Sequence, residues 1–119
     1  MNPSQFISHL LFQISVAHML HLRSTSYAQH MALGEFYDCF PGLVDGLVEE
    51  YQGVNGLVTD YPSVSSVKNY SNPSLFLKDL YAFVNLNRNT LGTESHIQNS
   101  MDTLLTAISQ TVYKIDNLK

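Results

Sequence analysis

Residues 27–56 read YAQHMALGEFYDCFPGLVDGLVEEYQGVNG. Leu33, Phe36, Tyr37, Phe40, Leu43, Val44, Leu47 and Tyr51 recur at the 3.6-residue period, which predicts a helix from about Tyr27 to Gln52 with one apolar stripe. The opposite side carries Gly34, Asp38, Gly42, Asp45, Gly46 and Glu49, and His30 sits near the boundary between the two sides. An interior helical glycine costs about 1 kcal/mol relative to alanine. Close approach of another backbone offsets that cost; the simpler reading of Gly42, beside Pro41, is a local break. Pro41 lacks an amide hydrogen and crowds the preceding turn, so a kink or short break is expected near Phe40. Gly53 and Gly56 end the helix.

The neighbouring segments extend the pattern in both directions. A first helix begins with Asn2 as cap and Pro3 at the first helical position. Leu11, Ile14, His18 and His21 follow at helical spacing, as do Phe6, Leu10, Gln13 and Ala17. The polar run Arg23-Ser24-Thr25-Ser26 ends it and caps the next helix. Residues 54–71 form a connection long enough to cross a bundle and carry a short helix. A third helix runs from Asn72-Pro73 to about Leu86, with Phe76, Leu80 and Phe83 on one side. After a turn at Asn87–Gly92, Thr93 caps a fourth, striped by Ile97, Met101, Leu104, Ile108, Val112 and Ile115. The expected fold is all-α, a four-helix bundle forming one domain over residues 1–119.

Composition narrows the function classes. The chain is 45% hydrophobic and 13% charged, which excludes disorder and suggests that partner subunits cover part of the surface, as in a homo-oligomer. Its net charge is −4 and its six basic residues are scattered, so the dense phosphate contacts of direct nucleic-acid binding are not expected. Cys39 is the only cysteine, which rules out an internal disulfide and fits a cytoplasmic protein. The apolar stretch from Phe6 to Leu22 is interrupted by Ser8, His9, Gln13, Ser15, His18 and His21, and reads as neither signal peptide nor membrane span.

Asp45 and Glu49 stand at i and i+4, so both carboxylates face one point. His30 lies fifteen residues before Asp45, or roughly 22 Å along an ideal helix. One ion cannot bind both from the same helix. Two copies packed antiparallel about a two-fold axis bring His30 of one to Asp45 and Glu49 of the other, giving two identical sites. Histidine nitrogen with carboxylate oxygen suits iron, zinc or manganese.

These residues resemble the ferroxidase centre of the Dps-like mini-ferritins, which follows His-x11-His-x3-Asp/Glu-x10-Asp-x3-Glu. Here His18-x11-His30-x3-Gly34-x10-Asp45-x3-Glu49 reproduces every spacing and four of the five residue types. The resemblance covers about residues 10–56, and the long crossover followed by two more helices is similar too. It implies a ferritin-like bundle that binds iron, as a di-iron or mononuclear site, with zinc as a second candidate. The implied activity is oxidation of ferrous iron by peroxide or dioxygen, with iron storage and protection from oxidative stress. His30 resembles the ligand on the second helix, and Asp45 and Glu49 the pair from the two-fold partner. Either His18, by spacing, or His21, nearer the turn, matches the first-helix histidine. Gly34 stands where the family has a carboxylate, and Asp38 is the nearest carboxylate on that face. The usual tryptophan and the basic DNA-binding tail are absent, and the short chain departs from members that build a dodecameric shell.

Each residue also has a plainer reading. Histidines on an apolar helix face are commonly core groups, and carboxylates facing away from a core are by default solvated. His9, His96 and Glu50 read as surface residues, Cys39 as semi-buried and inert. The second function class is therefore a non-catalytic helical assembly protein, such as a virion or scaffold component, that keeps the bundle without metal chemistry.

Overall fold

The computed structural model describes residues 1–64 and 68–119. Among them are four helices and no strand: α1 (Pro3–Arg23), α2 (Tyr27–Asn55), α3 (Pro73–Leu86) and α4 (Ser95–Asn117). No described helix is long and apolar enough to cross a membrane. Local chemistry sets the boundaries. The Asn2 side chain accepts from the Gln5 amide while Gln5 returns a bond to the Asn2 amide, a capping box with Pro3 at the first position. Ser26 caps α2 through the Gln29 amide, and Asn72 caps α3 through the Ser74 and Leu75 amides.

Four expectations need correction. The helix predicted to end at Gln52 continues to Asn55, with Gly56 as its C-cap. Pro41 does not break it: the helix runs through Pro41 over its 29 residues. Burial of Phe36, Phe40, Val44 and Leu47 on both sides of Pro41 outweighs the roughly 3 kcal/mol a helical proline costs. Thr93 is not the cap of α4; Glu94 holds that position and makes no side-chain cap bond. Its carboxylate instead folds back over Gly92, at φ 123°, with Oε1 2.5 Å from where a Cβ would stand. The short helix anticipated within residues 54–71 is not found in the described part of that stretch; residues 65–67 lie outside the described residues.

The helices surround one core. Phe6, Ile7, Leu10, Leu33, Phe36, Phe40, Val44, Leu47, Phe76, Leu77, Val84, Ile97, Met101, Leu104 and Ile108 are buried in it. α2 packs on α1 and α4, and α3 packs on α4, while α1 and α3 barely touch. Directions follow from named contacts. Lys114 pairs with Glu35 at 2.8 Å and Ser100 bonds Glu50 at 2.8 and 2.9 Å, so α4 runs antiparallel to α2. Phe6 stacks on Phe83 while Arg23 Nη1 donates to the Tyr70 carbonyl at 2.8 Å, so α3 runs antiparallel to α1. Glu50, expected on the surface, is thus half-buried against α4, whereas Cys39 is fully exposed.

Residues 62–64 line a cavity with Gln5, Ser8 and His9 near the start of α1. Residues 68–70 line another with Val16, Met19, Leu20 and Arg23 near its end. The Tyr70 hydroxyl closes this seam by donating to Asp79 Oδ2 at 2.6 Å, with Lys68 Nζ 3.6 Å from the same oxygen. Burial, then the hydrogen bond to Asp79 and the Asp79 charge, push the Tyr70 phenol up to about 12.

Two outcomes follow from this packing. Phe40→Ala, which removes a ring stacked on Phe36 at 4.6 Å, should destabilise the chain by about 3–5 kcal/mol in urea denaturation. The folded Tyr70 phenol keeps its proton above the ordinary value of 10, so its contribution is complete below pH 10 and is lost as pH rises through about 12. Stability measured across that interval should therefore fall more steeply for the wild type than for Tyr70→Phe.

Candidate functional site

The turn between α1 and α2 brings three of the predicted histidines together. His21 is in the last turn of α1 and His30 in the first turn of α2. Their rings stack with centroids 3.7 Å apart and planes 21° apart. His21 Nδ1 lies 2.6 Å from the His30 carbonyl, and His30 Nδ1 lies 3.0 Å from the His21 carbonyl. A carbonyl only accepts, so each Nδ1 must carry the hydrogen. That fixes both tautomers and leaves Nε2 as the lone-pair nitrogen of each neutral ring. Tyr37, two turns along α2, meets the His21 ring edge-on at 5.0 Å and stacks on exposed His18 at 4.3 Å.

Gly34 belongs to the same arrangement. A Cβ built on it would stand 3.0 Å from His21 Cε1 and 3.2 Å from His21 Nδ1. The position where the resemblance expects a carboxylate is therefore covered by the His21 ring. Spacing pointed to His18 and nearness to the turn to His21; it is His21 that meets His30, because reciprocal pairing across an antiparallel hairpin matches residues nearly equidistant from the turn.

The carboxylates lie elsewhere. Asp38, Asp45 and Glu49 are exposed on the outer face of α2, and among the described residues none of them makes an ion pair or a side-chain hydrogen bond. No group of three or more His, Cys, Asp or Glu side chains that could hold a metal ion exists among the described residues. The stacked imidazoles do not supply one by themselves. Lone pairs lie in the ring planes, and two near-parallel planes 3.7 Å apart do not converge on one ion.

The outer face of α2 has further features in common. Gly42 and Gly46 have nothing within 4 Å of a built Cβ, so no element of this chain uses the space they leave. On the same face Tyr27 is 78% exposed and Met31 44%. Sequence reasoning placed the acids and glycines here and missed the two apolar residues, whose departure from the buried stripe was the available signal.

Residues 21–115 match the family described as Family of unknown function (DUF5856), and the chain belongs to that family. The matched span begins at His21 and includes His30, Gly34, Asp38, Asp45 and Glu49, while His18 lies before it. No curated protein and no solved structure matches the chain.

Because Asp45 and Glu49 are exposed and make no ion pair or side-chain hydrogen bond among the described residues, replacing both with alanine should leave the stability of the dilute monomer within about 0.5 kcal/mol of wild type in urea denaturation.

Proposed function

We propose that this chain is a ferritin-like four-helix bundle that works as a self-associating structural component, with a second copy covering the outer face of α2. The ferritin-like reading is supported by the antiparallel α1/α3 and α2/α4 pairs, which place the start of α3 at the end of the molecule opposite to the one where α2 stops. The observation that carries the functional reading is the uncommitted outer face. Helical glycines with open space above them, unpaired carboxylates and exposed Tyr27 and Met31 occur together on one long helix. A helix that spends about 1 kcal/mol on each interior glycine recovers it when another backbone packs closely there. Antiparallel packing about a two-fold axis sets Tyr27 and Met31 of one copy against the Gly46 region of the other.

A second reading is ferrous-iron oxidation at that same interface, with iron as substrate. The unpaired state of Asp45 and Glu49 favours it, since such carboxylates are available to neutralise a cation. His30 favours it less, because its ring turns into the α1–α2 seam and its Nδ1 is committed to a carbonyl.

Sedimentation velocity separates association from monomer behaviour. Wild type should sediment as a dimer or larger, and Gly42→Leu, at a position where a built Cβ has nothing within 4 Å, should sediment as a folded monomer. Wild type that stays monomeric at high protein concentration would sink the assembly reading. Ferrous oxidation with peroxide and with dioxygen decides between the two functions. The structural reading expects no rate above the protein-free control; a fast rate lost in Asp45→Ala/Glu49→Ala would establish the second reading in its place.

A further inference from the structure

We infer that the His21–Gly34–His30 seam takes the place of a metal ion in pinning α1 to α2. The residues that resemble a metal centre do not fit one in this chain, and what they build instead is a complete clasp. Each ring donates its Nδ1 hydrogen to the carbonyl of the other histidine, so one residue on each helix both gives and receives a bond. The two bonds span the turn between residues nine apart in sequence. The His21 Nδ1 bond is short, at 2.6 Å, and the stack at 3.7 Å covers one face of each ring. Carbonyls near the C-terminal end of a helix are left without an intrahelical partner, and the His21 carbonyl is one of them. It also accepts from the Ser24 amide at 3.3 Å, and the His30 ring supplies the second donor.

Gly34 is the component that makes the clasp possible. The His21 ring lies directly on its Cα, and three groups keep the ring from retreating. The His30 ring stacks on it, the Tyr37 ring meets its edge, and the His30 carbonyl holds its Nδ1. A side chain at position 34 must push aside a ring that these three contacts hold in place. The glycine is thus not a lost ligand with nothing in its place; it is the space that the imidazole needs.

This assignment reverses the usual sign of a helix substitution, which makes it testable on the full chain. Glycine to alanine inside a helix normally stabilises, by about 1 kcal/mol or about 4 °C in thermal midpoint. In dilute protein Gly42→Ala, with open space above it, should show that gain. Gly34→Ala should lower the midpoint instead. In a His21→Ala background, which empties the space, Gly34→Ala should again raise it. If Gly34→Ala alone does not fold, the double variant His21→Ala/Gly34→Ala decides. Its folding places the cost on the His21 ring, and its failure to fold overturns the assignment.

Metal supplies the independent readout. Wild-type midpoints with a chelator, with added ferrous iron and with added zinc should coincide. A saturable rise with either ion that disappears in His21→Ala would mean that the seam is a metal site and not its replacement. A Gly34→Ala midpoint as high as that of Gly42→Ala would equally overturn the clasp.

Discussion

Burial of one face of α2 is the constraint on which the rest of the molecule depends. Leu33, Phe36, Phe40, Val44 and Leu47 are buried along it, and Phe36 and Phe40 stack on one another. This single stripe contributes five large side chains, each worth about 1.5–3 kcal/mol of transfer free energy as an upper estimate. Such a total keeps the helix continuous through Pro41, and continuity gives α2 two long flanks. One flank receives α1 and the other α4, leaving α3 to complete the enclosure by packing on α4. Helix order around the core is therefore set from the second element and not from the chain terminus.

The thin contact between α1 and α3 follows from that arrangement. With both α1 and α4 seated on α2, the remaining gap is filled by the connection. Tyr70 serves as its anchor, with its ring against Phe76, its hydroxyl on Asp79 and its carbonyl on Arg23. One residue of the connection thus ties α1 to α3, using one apolar and two polar contacts. Exposed ion pairs such as Lys78–Asp116 at 3.3 Å add little beside this, because water competes for both charges.

Much of this architecture was legible in the residues. Periodicity located all four helices, and Asn2-Pro3 and Asn72-Pro73 marked two starts because an Asx cap followed by proline has little other use. Legibility failed where the decision was tertiary. Nothing local distinguishes a Pro41 that breaks a helix from one that burial on both sides carries through. Thr93 looked like a cap, yet the turn delivers the chain one residue later, with Glu94 folded over Gly92. At the site, spacing identified the histidines and the odd glycine correctly as a group. It could not tell whether they converge on an ion or on each other. That depends on ring orientation, and hence on which nitrogen each carbonyl claims, a quantity with no signature in residue spacing.

The contact between position 34 and the His21 ring also constrains how this sequence can change over generations. Any residue other than glycine at position 34 brings a Cβ to 3.0 Å from that ring, whatever the chemistry beyond it. A carboxylate acquired there must shift the imidazole that position 21 keeps in the seam. A smaller residue at position 21, coming first, avoids that shift but gives up both the stack and the bond to the His30 carbonyl before anything is gained. The two positions form a historical lock in which the order of substitution matters. The route from this chain to one with a carboxylate at that point passes through an intermediate that lacks the stack and that bond.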